Sequence, residues 1–154
     1  MQITAYELAQ RFTGIHEVQG PTANPAVMAM LRLDSEWPKD DEVPWCSAFV
    51  NYVAWLLRLP RSKDLRARSW LGVGLPIARL DAARVGFDVV ILNRGGAAAS
   101  PDVIDAPGHV GFFAGIDQVT AGPLLLGGNQ NNGVSLRSFP AADVLGVRRL
   151  KDET

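Results

Sequence analysis

Apolar residues recur at helical spacing in the first third of the chain and in short, nearly continuous runs in the second half. Thr4 followed by Glu7 forms a capping box, and Tyr6, Leu8 and Phe12 supply the spacing of a first helix near residues 5 to 12, a lid or support. Asn24-Pro25 offers an N-cap and a first-turn proline for a second helix through about Leu33. From Cys46 onward, Phe49, Tyr52, Val53, Leu56 and Leu57 repeat on one face, which predicts a third helix turned toward a core. The runs Asp88 to Leu92, His109 to Gly115, Pro123 to Gly128, Gly133 to Phe139 and Gly146 to Leu150 read as strands divided by Gly, Asn and Pro turns. Helices first and strands later predict an α+β fold with an antiparallel sheet of about five strands. The connection from Asn93 to Gly108 is long and rich in Gly and Ala, and is expected to be a mobile excursion bordering the strand ends.

Composition narrows the function classes. A chain of 154 residues suits one domain over 1–154, and 47% hydrophobic against 20% charged residues argues for a globular protein. Fifteen basic and sixteen acidic residues give a formal charge of -1, so no global field recommends nucleic acid as a partner. The first residues lack the basic start and apolar core of a secretion signal, and no apolar run approaches the ~20 residues of a membrane span. The expectation is a chain made in the cytoplasm, without membrane insertion. Acids cluster before the cysteine (Asp34, Glu36, Asp40, Asp41, Glu42) and bases after it (Arg58, Arg61, Lys63, Arg66, Arg68). They are expected as a solvated loop and as cations favourable at a helix C-terminus.

The single cysteine, Cys46, excludes an internal disulfide and a multi-cysteine zinc site, leaving a buried hydrophobe or a reactive thiol. It falls in the first turn of the third helix, just after Pro44-Trp45, where unpaired N–H groups and the helix dipole stabilise a thiolate. Taken alone, a cysteine in a helix is more often a small core residue than a nucleophile. A nucleophile needs a base and a group that fixes the base's tautomer. Of the two histidines, His16 sits in a polar loop, whereas His109 opens a strand after Pro107-Gly108, where its side chain can reach a neighbouring helix. Asn129, at the end of the next strand, is the preferred orienting residue. Gln130 is the alternative, and strict alternation points it to the other face.

The segments "PWCSAFVNYV" (Pro44 to Val53), "SWL" (Ser69 to Leu71), "DVVIL" (Asp88 to Leu92), "GHVGFF" (Gly108 to Phe113) and "LLGGNQNN" (Leu125 to Asn132) together resemble the cysteine, histidine-dependent amidohydrolase/peptidase (CHAP) group. The closer likeness is to a phage-associated branch of that papain-like superfamily, which includes the NlpC-type cell-wall peptidases. "GIHEVQG" and "NPAVMAML" resemble the branch's N-terminal segment, so the likeness covers nearly the whole chain. It implies a papain-like fold, with Cys46 as nucleophile, His109 as general base and Asn129 as the residue that orients it. The implied substrate is bacterial peptidoglycan and its peptide stem, cut at an amide either between muramic acid and L-alanine or within the peptide stem or cross-bridge, with no metal or organic cofactor.

Glu17 and Trp45 are candidates for lining the cleft, and Trp70 is read as packing. The competing expectations are a cysteine peptidase or deamidase acting on a protein, and a non-catalytic phage structural or wall-binding module. Delivery to the cell wall or periplasm is expected by holin-dependent release, virion delivery or injection. The chain is expected to be a monomer, with an immunity protein as partner if it is a secreted effector.

Overall fold

The computed structural model describes residues 1–18, 22–95 and 99–152. Three helices lead the chain: α1 (Ala5–Gln10), α2 (Pro25–Leu31) and α3 (Cys46–Leu56). The capping box of α1 is closed in both directions, with Glu7 N–H donating to Thr4 Oγ1 at 3.1 Å and Thr4 N–H to Glu7 Oε2 at 2.7 Å. Asn24 caps α2 by accepting from Ala26 N–H at 2.9 Å. Helix α3 stops because Arg58 takes a left-handed conformation (φ 56°). The Arg58 and Leu59 N–H groups then turn back to the Trp55 and Ala54 carbonyls, which satisfies the last turn.

Six strands follow: β1 (Leu75–Ile77), β2 (Asp88–Asn93), β3 (Gly108–Ile116), β4 (Pro123–Gln130), β5 (Gly133–Ser138) and β6 (Val144–Arg149). They form one antiparallel sheet in the order β1-β6-β2-β3-β4-β5, so the chain has the expected α+β architecture. The extra strand is β1, a three-residue edge piece containing Pro76, too short to show a period of two. Strands β2 and β6 are locked by Asp88, which is buried and receives Arg149 Nε at 2.7 Å and Nη2 at 2.8 Å.

The helices cover one face of the sheet. Phe49, Val50 and Val53 of α3 and Val27 and Leu31 of α2 pack with Trp45 and Trp70 on Val89, Ile91, Val110, Phe112 and Leu126. Phe49 meets Phe112 edge to face, with ring centres 6.0 Å apart. Val90, Leu92, Phe113, Leu125 and Val147 form a smaller cluster on the opposite face, against which Phe139 and Val144 pack. Among the described residues no helix is long and apolar enough to cross a membrane.

The charge clusters differ from a purely solvated arrangement. Asp41 is fully buried, and its Oδ2 accepts from the N–H groups of Val18 (2.7 Å) and Asn24 (2.8 Å), which joins the segment before α2 to the segment before α3. Arg68 is also buried. It donates to the carbonyls of Pro107, Ala99 and Ser100 and to Asn93 Oδ1, gripping both described ends of the β2–β3 connection. Residues 96–98 of that connection lie outside the described residues. The bases after the third helix therefore act as staples: Arg61 pairs with Asp34, and Arg66 with Asp64 and Asp105. Neither Asp41 nor Arg68 leaves a periodic signal, because their partners are backbone groups and side chains distant in sequence.

Close approach of β4 to α3 requires Gly128. A Cβ there would lie 2.8 Å from Phe49 Cβ and from Trp45 Cε3. Gly128→Ala is expected to destabilise the protein by about 1–3 kcal/mol through overpacking, read as a lowered melting temperature. A variant that melts with the wild type contradicts this packing.

Candidate functional site

Cys46 is the first residue of α3, and its side chain lies where β3 and β4 part. The β3–β4 pairing runs from Ile116 and Pro123 to Phe112 and Leu126, so Val110 lies beyond its end. The His109 ring and the N–H groups of Val110 and Ser47 are the polar neighbours that act on the Cys46 thiol. Burial pushes the thiol up, but the hydrogen bond and charge of His109 and the two backbone N–H groups outweigh it, so the thiol is held below its ordinary value. Cys46 and His109 are 3% and 4% exposed, so both side chains are shielded from bulk water.

The His109 ring is held from several sides. Its Nε2 lies 2.9 Å from Gln130 Oε1, which leaves Nδ1 to face the thiol. The Gln130 amide has one orientation available, because its nitrogen donates to the carbonyls of Leu125 (3.2 Å) and Ser135 (2.7 Å). Oε1 must therefore accept, and Nε2 of His109 must carry a hydrogen. In the neutral ring that assigns the lone pair to Nδ1, on the side of Cys46. Phe139 stacks against the imidazole with ring centres 5.1 Å apart and planes inclined by 31°.

The orienting partner of His109 is thus Gln130, and Asn129 does not fill that position. Strict alternation along β4 would give the opposite result, but the β4–β5 register shifts between Gly127 and Gln130, and Asn129 takes φ 58°. This bulge adds a residue to the strand and returns Gln130 to the face that Gly127 occupies. Asn129 instead lines a cavity beside His109 and Gln130. Gly127 has to be a glycine, since a Cβ there would lie 2.4 Å from Gln130 Oε1 and 3.4 Å from His109 Nε2. Each glycine of "GGNQ" clears a different neighbour.

Trp45 is not available to line a cleft. Its ring is fully buried under Gly128, and its Nε1–H donates to Glu17 Oε2 at 3.0 Å. Glu17 is half-buried and is carried there by residues 14–17, which hydrogen-bond along β5 through Gly14 N–H to Val134 O, Val134 N–H to Ile15 O and Glu17 N–H to Asn132 O. The same segment carries His16 over Gly133. The helix start is braced from behind by Ser47, whose Oγ accepts from Trp70 Nε1 at 2.9 Å and donates to Asp64 O at 2.5 Å. Among the described residues no group of three or more His, Cys, Asp or Glu side chains is arranged to hold a metal ion.

A thiol beside an imidazole whose tautomer is fixed can serve as nucleophile and base in acyl transfer. Sequence reasoning missed Phe139, an aromatic at a strand end whose contact with His109 no local pattern encodes. Gln130→Ala frees the ring to adopt the other tautomer and is expected to slow alkylation of Cys46 by iodoacetamide at neutral pH by about tenfold or more. Asn129→Ala is expected to leave that rate within about twofold, since the ring is held by Gln130. Equal effects of the two variants would remove Gln130 from its orienting position.

Likeness to known proteins is confined to the fold. No family model matches the chain, and no curated protein matches it. A solved structure, NlpC1 from Trichomonas vaginalis, matches with a TM-score of 0.55 at 15% sequence identity. The match covers 95% of this chain and 42% of that one, so the chain spans less than half the length of its structural neighbour. The likeness establishes that this chain has an NlpC-type, papain-like fold.

Proposed function

We propose that the protein is a cysteine-dependent amidohydrolase or peptidase that cuts an amide in the peptide stem of bacterial peptidoglycan. The observation that carries the chemistry is the run of contacts from the Cys46 thiol through His109 to Gln130, built at the start of α3. The NlpC-type fold is compatible with this chemistry, and the wall substrate is proposed from the resemblance of the segments around Cys46, His109 and Gln130 to the CHAP group.

In the proposed reaction the Cys46 thiolate attacks the amide carbonyl and forms a tetrahedral intermediate. The Cys46 backbone N–H, unpaired at the helix start, is the proposed donor to the developing oxyanion. His109, protonated at Nδ1 as the thiolate's partner, gives that proton to the departing amine and leaves a thioester on Cys46. Water then attacks the thioester with Nδ1 as base, releasing the acid product and restoring the thiol-imidazole pair. Gln130 acts throughout by holding Nε2–H, so that the lone pair returns to the same nitrogen after each proton transfer.

Digestion of purified peptidoglycan by wild type and Cys46→Ala, with mass spectrometry of the released pieces, tests the proposal. Soluble fragments are expected from wild type alone, with masses that name the bond cut, and rates at least about 10³-fold above Cys46→Ala. Equal release by the two proteins, or none from either, overturns the wall-hydrolase reading.

The lowered thiol also fixes the pH dependence. A thiol held below its ordinary value stays ionised into more acidic solution, so activity is expected to persist below the pH at which a free cysteine loses its thiolate. His109→Ala removes the largest stabilising contact and is expected to move the alkylation profile of Cys46 to higher pH. A profile that does not move would separate His109 from the thiol.

A further inference from the structure

A cavity of about 270 Å³ opens beside the imidazole, on the sheet face away from α3, and is lined by His109, Gln130, Phe139, Asn93, Arg94 and Arg137. Both arginines are exposed, and neither has an ion pair among the described residues. The Arg137 guanidinium lies 5.4 Å from the centre of the Phe139 ring, the same ring that stacks on His109. Asp143 also lines the cavity and forms no ion pair with either arginine. Apart from the imidazole, the lining side chains therefore carry one net positive charge.

Cys46 does not line this cavity, and His109 is the residue that borders both the cavity and the thiol. The group that protonates the leaving amine must touch it, so the part of the substrate beyond the amine has to extend past His109. Guanidinium groups without a protein anion favour a carboxylate, which they grip through paired N–H donors.

We infer that this cavity is the leaving-amine subsite and that Arg94 and Arg137 select substrates with a free carboxylate on that side of the cut amide. The inference rests on the thiol-hydrolase reading and adds a charge requirement to it. Phe139 links the two parts, since it positions Arg137 and the His109 ring at once. Asp143 sets a limit by opposing substrates whose amine side is more heavily anionic.

The test is a binding titration on full-length Cys46→Ala, which holds a stem peptide without cutting it. A synthetic peptidoglycan stem peptide with free carboxylates is compared with the same peptide fully amidated, using calorimetry. The carboxylate form is expected to bind at least about tenfold more tightly, a preference that Arg94→Gln with Arg137→Gln abolishes and Asp143→Asn increases. Both arginines are exposed, so the double variant is expected to melt with its parent. Equal affinity for the two peptides, no binding of either, or a preference that survives loss of both arginines overturns the inference. Wall digestion separates the two claims: carboxylate-selective binding without digestion overturns the hydrolase, and with it the leaving-amine role, and keeps only a carboxylate-binding cavity. Digestion without carboxylate selectivity overturns the subsite and keeps the hydrolase.

Discussion

The site depends on the single orientation available to the Gln130 amide. Two backbone carbonyls, those of Leu125 and Ser135, take its N–H donors, so its oxygen can face only His109. That constraint sets which imidazole nitrogen holds a hydrogen, and therefore which nitrogen can exchange a proton with Cys46. A buried amide with its polar groups engaged holds the ring more firmly than a solvated one, because any rotation leaves a polar group unpaired in a dry environment. The bulge at Gly127 to Gln130 makes the arrangement possible. It gives up one residue of regular pairing to bring a side chain back to the face where His109 stands.

A second set of buried polar contacts keeps the two halves of the site in register. Ser47 ties the start of α3 to Trp70 and to the Asp64 carbonyl, and Asn51, one turn later, donates to the Ser47 carbonyl and accepts from the Lys63 N–H. Arg68 performs the corresponding task for the sheet by holding Pro107, just before His109, and Asn93, at the end of β2. Trp45 sits between these systems, its ring against β4 and its N–H on Glu17. Helix start and strand end are thus each fixed by groups whose hydrogen bonds have no solvent to replace them, which is how a site on rigid elements stays preorganised.

Much of this arrangement is legible in the order of residues alone. The three helices are readable because their signals are local: Thr4 with Glu7, Asn24 with Pro25, and Pro44 before Cys46 all act within one turn. Five of the six strands show as apolar runs, and the sixth does not because three residues carry no period. Cys46 and His109 stand out because each opens an element, and elements open toward their neighbours. Alternation favours Asn129 over Gln130 because it assumes a regular strand, whereas Asn129 has positive φ and the strand bulges there. Trp45, Asp41 and Arg68 lie deeper than their sequence neighbourhood suggests. Their partners are a distant carboxylate, backbone N–H groups and backbone carbonyls, and no local pattern announces those.

The chemistry stands or falls with Cys46 being held as a thiolate by its surroundings. Titration of thiolate ultraviolet absorbance against pH in the wild-type protein, with Cys46→Ser as the blank, measures this without reference to any substrate. A single transition is expected below the range of an ordinary cysteine, moved upward in His109→Ala. A transition at or above that range, unchanged when His109 is removed, would mean that burial governs the thiol and that Cys46 is a packed core residue.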